Sequence, residues 1–373
     1  MWPNDRFIKL CGIELPIIQA PMAGSSLSDM VVAVSQAGGL GSLACALLSV
    51  EQARKELETI RRRTSHPINA NFFCHQPPRH DSAREMNWRR RLDAYYVQLQ
   101  ADDTSIPTSA RAPFDDKMCD LVMEFHPEVV SFHFGLPDKN LLLRVRKTGA
   151  KILSTATSVE EAHWLEDQGC DAIIAQGSEA GGHRGVFLTD DVSTQVGTMA
   201  LVPQVVDAVK LPVIAAGGIA DGRGILAAFA LGASAVQIGT AYLHCPEAQI
   251  SPLYHQALKD AKDNDTAITN VFTGRPARAI VNRIMREVGP MSDVVPDFPL
   301  AASIVAPLRA KSETAGSADF TPLWSGQAAR LGRELPAAEL TKQLAAEALK
   351  KLKLAEDYGM SHLTGLPGHD QMI

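Results

Sequence analysis

Residues 213–240 read VIAAGGIADGRGILAAFALGASAVQIGT, and the order of the parts decides the fold. An apolar strand over 213–218 ends in Gly217 and Gly218. A helix over 222–231 follows, rich in alanine and leucine, and Gly232 stands where a helix end favours a left-handed residue. A second apolar strand, 235–240, completes a strand–helix–strand unit. Runs this short and this apolar suit strands buried on both faces, and hence a parallel sheet with right-handed crossovers.

The same alternation runs back to the start of the chain. Strands are predicted at 17–22, 40–45, 68–73, 129–135, 151–157 and 172–177, with helices at 28–37, 50–63, 115–125, 139–147, 159–168 and 199–209. Gly38, Gly149 and Gly169 repeat the role of Gly232 at helix ends. Eight strands in strict alternation predict a closed (β/α)8, or TIM, barrel, whose active site lies on the loops after the strand C-termini. A doubly wound open sheet is weaker, because no GxGxxG opens the first unit. The barrel is expected over 1–245. It is interrupted by a lid-like insert at about 74–112, where Tyr95 and Tyr96 either cover a substrate or belong to a helix on the barrel exterior. A smaller, mostly helical appended domain lying over the barrel mouth is expected over 246–322, and a segment over 323–373 that returns to the barrel. Within that last segment 337–356 reads as an amphipathic closing helix, followed by a loose tail.

Composition narrows the function. The chain has 373 residues, 46% hydrophobic and 21% charged, with a net charge of -6 and a pI near 6.0. That balance, without a basic run carrying aromatics, argues against a nucleic-acid partner. No stretch has the length of a membrane span or a signal peptide, and the six cysteines are scattered singly, without metal-like spacing. A cytoplasmic protein with buried free thiols, monomer or homodimer, is expected.

The strand ends carry the chemistry. Strand one closes on Ala20-Pro21-Met22, small and backbone-rich enough to lie beside a flat ring. Strand three presents Asn69 and Asn71, which alternation aims the same way, and strand four presents His133 among apolar neighbours. Strand six delivers Gln176 and then a glycine-rich loop, with Gly181, Gly182 and Gly185 around His183, the side chain best suited to move protons near neutral pH. Gly217 and Gly218, with Gln237-Ile238-Gly239-Thr240, occupy the two turns where barrels hold a phosphate on backbone amides and a helix N-terminus. No carboxylate cluster suggests a metal, and no GxSxG elbow occurs.

The combination QAPMAGSS (19–26), NANFF (69–73), SFHFG (131–135), QGSEAGGHRG (176–185), AAGGIADGRG (215–224) and QIGTAYL (237–243) resembles the nitronate monooxygenase family. The likeness continues more weakly through FPLAASIVAPLR (298–309) and FTPLWSGQAARLG (320–332). It implies FMN as cofactor, with a small nitronate and O2 as substrates, propionate 3-nitronate first among them, giving a carbonyl compound and nitrite. Carried over residue by residue, it assigns Ala20, Pro21 and Met22 to the flavin ring, with Asn71 and Gln176 as polar contacts. Gly181 and Gly182 approach the cofactor closely, while Gly217, Gly218, Gln237, Ile238, Gly239 and Thr240 hold its phosphate. His183 becomes a general base toward neutral nitroalkanes and His133 a second active-site histidine, with Arg184 a further cation for an anionic substrate. Residues 298–302 depart from the pattern, offering no tyrosine for substrate contact. Rivals on the same barrel are an FMN-dependent NAD(P)H enoyl-acyl-carrier-protein reductase or a quinone reductase. A phosphate-binding sensor or an aldolase is a rival of another kind, but no lysine ends a predicted strand.

Overall fold

A computed structural model describes residues 1–102 and 112–357. Its centre is an eight-stranded parallel barrel: β1 (Ile17–Gln19), β2 (Gly41–Ala44), β3 (Ile68–Phe73), β4 (Val129–His133), β5 (Lys151–Ala156), β6 (Ala172–Gln176), β8 (Val213–Ala216) and β9 (Ala235–Ile238). The sheet runs β1-β9-β8-β6-β5-β4-β3-β2 and closes through a parallel bridge between Ile18 and Leu40. Each strand is one to three residues shorter than its sequence signal or equal to it. The glycines and small residues after the strands have turned away from the ladder into the site.

Side-chain alternation splits each strand between two cores. Ile17, Ile173 and Val213 pack outward under the helices. Ile18, Ile174 and Ile214 pack inward with Leu40 and Leu153. The N-terminal helix Arg6–Cys11, which the sequence pattern did not announce, plugs the bottom of the barrel with Phe7 and Cys11. Above the apolar floor lies a polar layer. Asn69 Nδ2 donates to Ser42 Oγ at 3.0 Å and to Ser131 Oγ at 2.9 Å, and Gln19 Oε1 accepts from the Ser42 amide at 2.9 Å. Asn69 Nδ2 is thus engaged inside the barrel, and Asn69 does not line the cavity described below.

Gly38, Gly149, Gly169 and Gly232 all have positive φ, between 81° and 92°, as their places after helices require. The helix Ala337–Asp357 lies along the helices Gly222–Ala230 and Ser28–Gln36, closing the ring where the chain ends its barrel. The sequence tail beyond 357 lies outside the described residues. All six cysteines are free, and five are buried.

The described part of the insert, up to residue 102, carries two helices, Ser82–Arg91 and Asp93–Leu99, and residues 103–111 lie outside the described residues. Trp88, Leu92 and Tyr96 enter a second hydrophobic cluster with Phe272, Ile284, Ile304, Leu308 and Phe320 from the far side of the chain. The Tyr96 hydroxyl donates to the Ile304 carbonyl and the Tyr95 ring packs on Phe320, so neither tyrosine lines the cavity described below. Residues 246–322 contain helices and also a hairpin, β10 (Thr266–Thr269) and β11 (Ala277–Ile280). β11 takes β7 (Gly182–His183) as its outer neighbour, pairing His183 with Ala277 and Gly182 with Arg278.

Candidate active site

A cavity of about 1300 Å³, its open mouth included, sits over the C-terminal ends of the barrel strands. Its wall contains Ala20, Pro21 and Met22 after β1, Asn71 on β3, His133 on β4, Gln176 on β6, and Gly181, Gly182 and His183. Gly217, Gly218, Gln237, Gly239 and Thr240 complete the circuit. Every residue given to catalysis or to the flavin except Ile238 meets here, whereas Asn69 and Arg184 do not line the cavity. Ile238 is buried in the outer core, turned there by strand alternation, and its carbonyl accepts from the Ala20 amide at 2.8 Å. Thr155, Tyr254 and Trp324 also line the cavity and escaped the sequence reading. Alternation from the inward-facing Leu153 would have found Thr155. Nothing local marks the other two.

The glycine-rich segment is held rather than pliable. Gln176 Nε2 donates to the His183 carbonyl at 3.1 Å, and its Oε1 accepts from the Gly185 amide at 2.8 Å. The Glu179 carboxylate accepts from the amide and hydroxyl of Thr198, at the start of the helix Thr198–Ala208. A carboxylate there is favoured by the helix dipole. With β11 on its outer edge, the backbone around His183 has partners on both sides.

The His183 Nε2 lies 3.0 Å from Thr273 Oγ1, a hydroxyl that sequence reasoning missed because it sits ninety residues away in the hairpin turn. His133 is different. Its Nε2 faces the His183 carbonyl at 3.1 Å and its Nδ1 faces Thr155 Oγ1 at 3.1 Å. That network assigns the proton to Nε2 and makes Nδ1 the acceptor. Both nitrogens are used within the protein, and through one of them His133 holds the strand bearing His183. Burial, aided by Arg275 and Arg184, lowers its pKa from 6.5 to about 3.

A stability profile follows from that shift. The unfolded chain takes up a proton on this histidine below pH 6.5 while the folded chain resists until about pH 3. Stability therefore falls as pH drops through that window, by up to about 1.4 kcal/mol per pH unit from this group. In urea unfolding at pH 4, 5, 6 and 7, a His133→Asn variant is expected to show a shallower fall than the unaltered chain. Parallel profiles would refute the assignment.

Arg184 does not reach the cavity. It is fully buried, its Nη1 donating to the Gly177 carbonyl at 2.8 Å, its Nη2 to the Gln176 carbonyl at 2.9 Å and its Nε to Gln195 Oε1 at 2.7 Å. Being next to His183 on a strand, it points to the opposite side.

The cavity fits a flat, phosphate-bearing ring. Gln237 Oε1 is buried on its wall with no hydrogen-bond partner among the described residues, an acceptor that calls for a donor. Gly217 and Gly218 have φ of 114° and 71°, which turns their backbone over the ends of β8 and β9. The helix Gly222–Ala230 itself contributes less than expected. Asp221 caps its Arg223 and Gly224 amides, and Glu347 accepts from Gly222. A phosphate is left with the strand-end amides and the Thr240 hydroxyl. Among the described residues no His, Cys, Asp or Glu cluster could hold a metal ion.

The family model for nitronate monooxygenase matches residues 4–347. The chain belongs to the nitronate monooxygenase family. A nitronate monooxygenase of Pseudomonas aeruginosa is 42% identical over 92% of this chain and 99% of its own length. A probable nitronate monooxygenase of Staphylococcus saprophyticus is 38% identical over 92% and 98%. Among solved structures, a nitroalkane oxidase from Streptomyces ansochromogenes superposes with a TM-score of 0.84 at 37% identity, covering 94% of this chain and 99% of that one. FabK from Thermotoga maritima superposes at 0.70 with 27% identity, covering 95% and 99%. The chain is thus an oxidoreductase of a flavin-dependent family acting on nitro compounds. Among the described residues no helix is long and apolar enough to cross a membrane.

Proposed function

We propose that the protein is an FMN-dependent monooxygenase that oxidises alkyl nitronates, propionate 3-nitronate among them, with O2 to a carbonyl compound and nitrite. The observation that carries this is the His183 imidazole, set on a strand braced from both sides and turned into a cavity that fits a flavin. FMN, when bound, supplies the electron transfer between substrate and oxygen. The chain's own part is to orient the substrate, limit water around it and manage one proton. A nitronate arrives already deprotonated. A neutral nitroalkane must lose a proton from the carbon beside the nitro group, and His183 takes it. Thr273 and the His133–Gln176 pair, the latter gripping the His183 carbonyl, hold that imidazole in place.

The residues fit FMN in named roles. Ala20, Pro21 and Met22 flank the ring, Gln237 Oε1 accepts from it, and the amides of Gly217, Gly218 and Gly239 with Thr240 hold the phosphate. In this reading residues 246–322 act as a substrate domain over the barrel mouth, and the buried free thiols suit a reducing, cytoplasmic setting. Gln237→Met is expected to weaken FMN binding about tenfold by removing that acceptor. Titration of apoprotein by quenching of flavin fluorescence reads the change, and an unaltered affinity would remove Gln237 from the ring's contacts.

Oxygen uptake by the FMN-loaded protein, on addition of an alkyl nitronate without NAD(P)H, tests the function. Rapid uptake with nitrite release is expected. The likeness to FabK makes the second arm of the test specific. NAD(P)H oxidation with an enoyl thioester or a quinone, and no nitronate turnover, would move the chain to the reductases.

A further inference from the structure

We propose that the site is shaped for nitronates whose carbon chain is uncharged and apolar, alkyl or aryl, in preference to those carrying a second anionic group. The inference rests on the cavity being a nitronate site. It concerns what the substrate carries besides its nitro group.

Four aromatic rings surround the His183 imidazole. The centroids of Phe298 and Trp324 lie 5.3 Å from it, and those of Phe73 and Phe134 lie 6.0 Å from it. A substrate that presents its reacting carbon to His183 therefore brings the substituents on that carbon against the two of these rings that face the cavity, Phe73 and Trp324, with Phe134 and Phe298 packed behind them. Phe73 and Trp324 themselves line the cavity, with Met22 and Leu243 adding apolar surface. Tyr254, the one tyrosine on the wall among the described residues, donates its hydroxyl to the Trp324 carbonyl, so its polar end is already engaged.

Among the described residues no lysine or arginine lines the cavity. The three arginines on and beside β7 and β11 are each engaged elsewhere. Arg184 grips the Gln176 and Gly177 carbonyls. Arg275 donates to the Val186 carbonyl and stacks 3.9 Å from the Phe134 ring centre, and Arg278 donates to the Ser178 carbonyl at 2.8 Å. Their charge still reaches the site as a field, since Arg275 and Arg184 both disfavour a proton on His133. That field suits one delocalised negative charge at the nitro end. A carboxylate on the tail would give up water against rings and aliphatic side chains with no lysine or arginine among the described residues of the wall to receive it.

The test uses carboxylates that have the shape of nitronates but cannot be oxidised. Butyrate stands for propyl nitronate and succinate for propionate 3-nitronate, with phenylacetate for phenylmethyl nitronate. Calorimetric titration into the FMN-loaded protein is expected to show butyrate and phenylacetate binding at least tenfold more tightly than succinate. kcat/KM for propyl and phenylmethyl nitronates should exceed that for propionate 3-nitronate by a similar factor. Succinate binding as tightly as butyrate, or propionate 3-nitronate as the better substrate, would overturn the inference and leave nitronate oxidation standing. The expected binding order with no oxygen uptake from any nitronate would instead overturn the proposed reaction and leave the apolar preference intact.

Discussion

Replacing His183 by asparagine is expected to lower kcat/KM for neutral nitroethane about 10²–10⁴-fold while leaving ethyl nitronate within about threefold of the unaltered protein. The reason lies in which substrate needs a base. Proton removal from carbon is the step an imidazole assists, and the anion has already made it. Asparagine keeps a planar polar group near Thr273 Oγ1, which lies 3.0 Å from the native Nε2, so the wall is not emptied. The backbone position is also protected. The His183 carbonyl is held by Gln176 and His133, and the strand by Ala277 and Arg278, none of which depends on the side chain. Oxygen uptake with matched nitroalkane and nitronate pairs reads both rates. Equal loss on both substrates would show that the imidazole binds the nitro group and is not a base.

Gly181→Ala is the second large effect. A Cβ at Gly181 would sit 2.5 Å from the Gly326 amide nitrogen and 2.6 Å from the Ser325 carbonyl carbon, backbone atoms with no flexible end to move. The 325–327 segment is itself tied down, Gly326 donating to Thr240 Oγ1 at 2.9 Å and Gln327 to the Glu179 carbonyl at 3.0 Å. Overpacking of this kind costs about 1–3 kcal/mol. Here it also pushes apart two walls of the cofactor cavity, so FMN affinity should fall at least about tenfold. Gly182→Ala supplies the contrast. Its φ is 74°, a conformation that strains any residue with a Cβ, but nothing lies within 4 Å of the added atom. It should lose stability while keeping FMN. Thermal unfolding with and without FMN, beside fluorescence titration, separates the two variants. Equal FMN affinities would mean that the 325–327 segment does not bound the cofactor.

Much of the site was legible because a barrel turns sequence position into spatial position. Once strand–helix alternation is read, every strand end points to one face, and Met22, Asn71, Gln176, Gly217 and Gln237 converge there by topology alone. The same logic failed where depth along a strand mattered. Asn69 and Asn71 share a face, yet two residues of rise separate a polar core layer from the cavity wall. Ile238 failed for the complementary reason, being one residue out of phase with Gln237 and Gly239.

What the sequence determined by itself is the periodic part: apolar strands, helix caps, glycines at helix ends, and the ring of loops above them. These rest on interactions between residues near in the chain, which leave a local pattern. The tertiary structure alone decided the state of His183. Its strand exists only because β11 pairs with it, its Nε2 partner is Thr273, and Trp324 packs beside it. Those residues arrive from about 90 to 140 positions later, and no local signal links them to a GGH segment. Long-range contacts also engaged Arg275 with the Val186 carbonyl and Tyr254 with the Trp324 carbonyl, while Arg184, which the sequence offered as a cation for the substrate, is taken up by the nearby Gln176 and Gly177 carbonyls. Side-chain identity gives the groups that can act; which of them remain free to act depends on hydrogen bonds that only the folded chain makes.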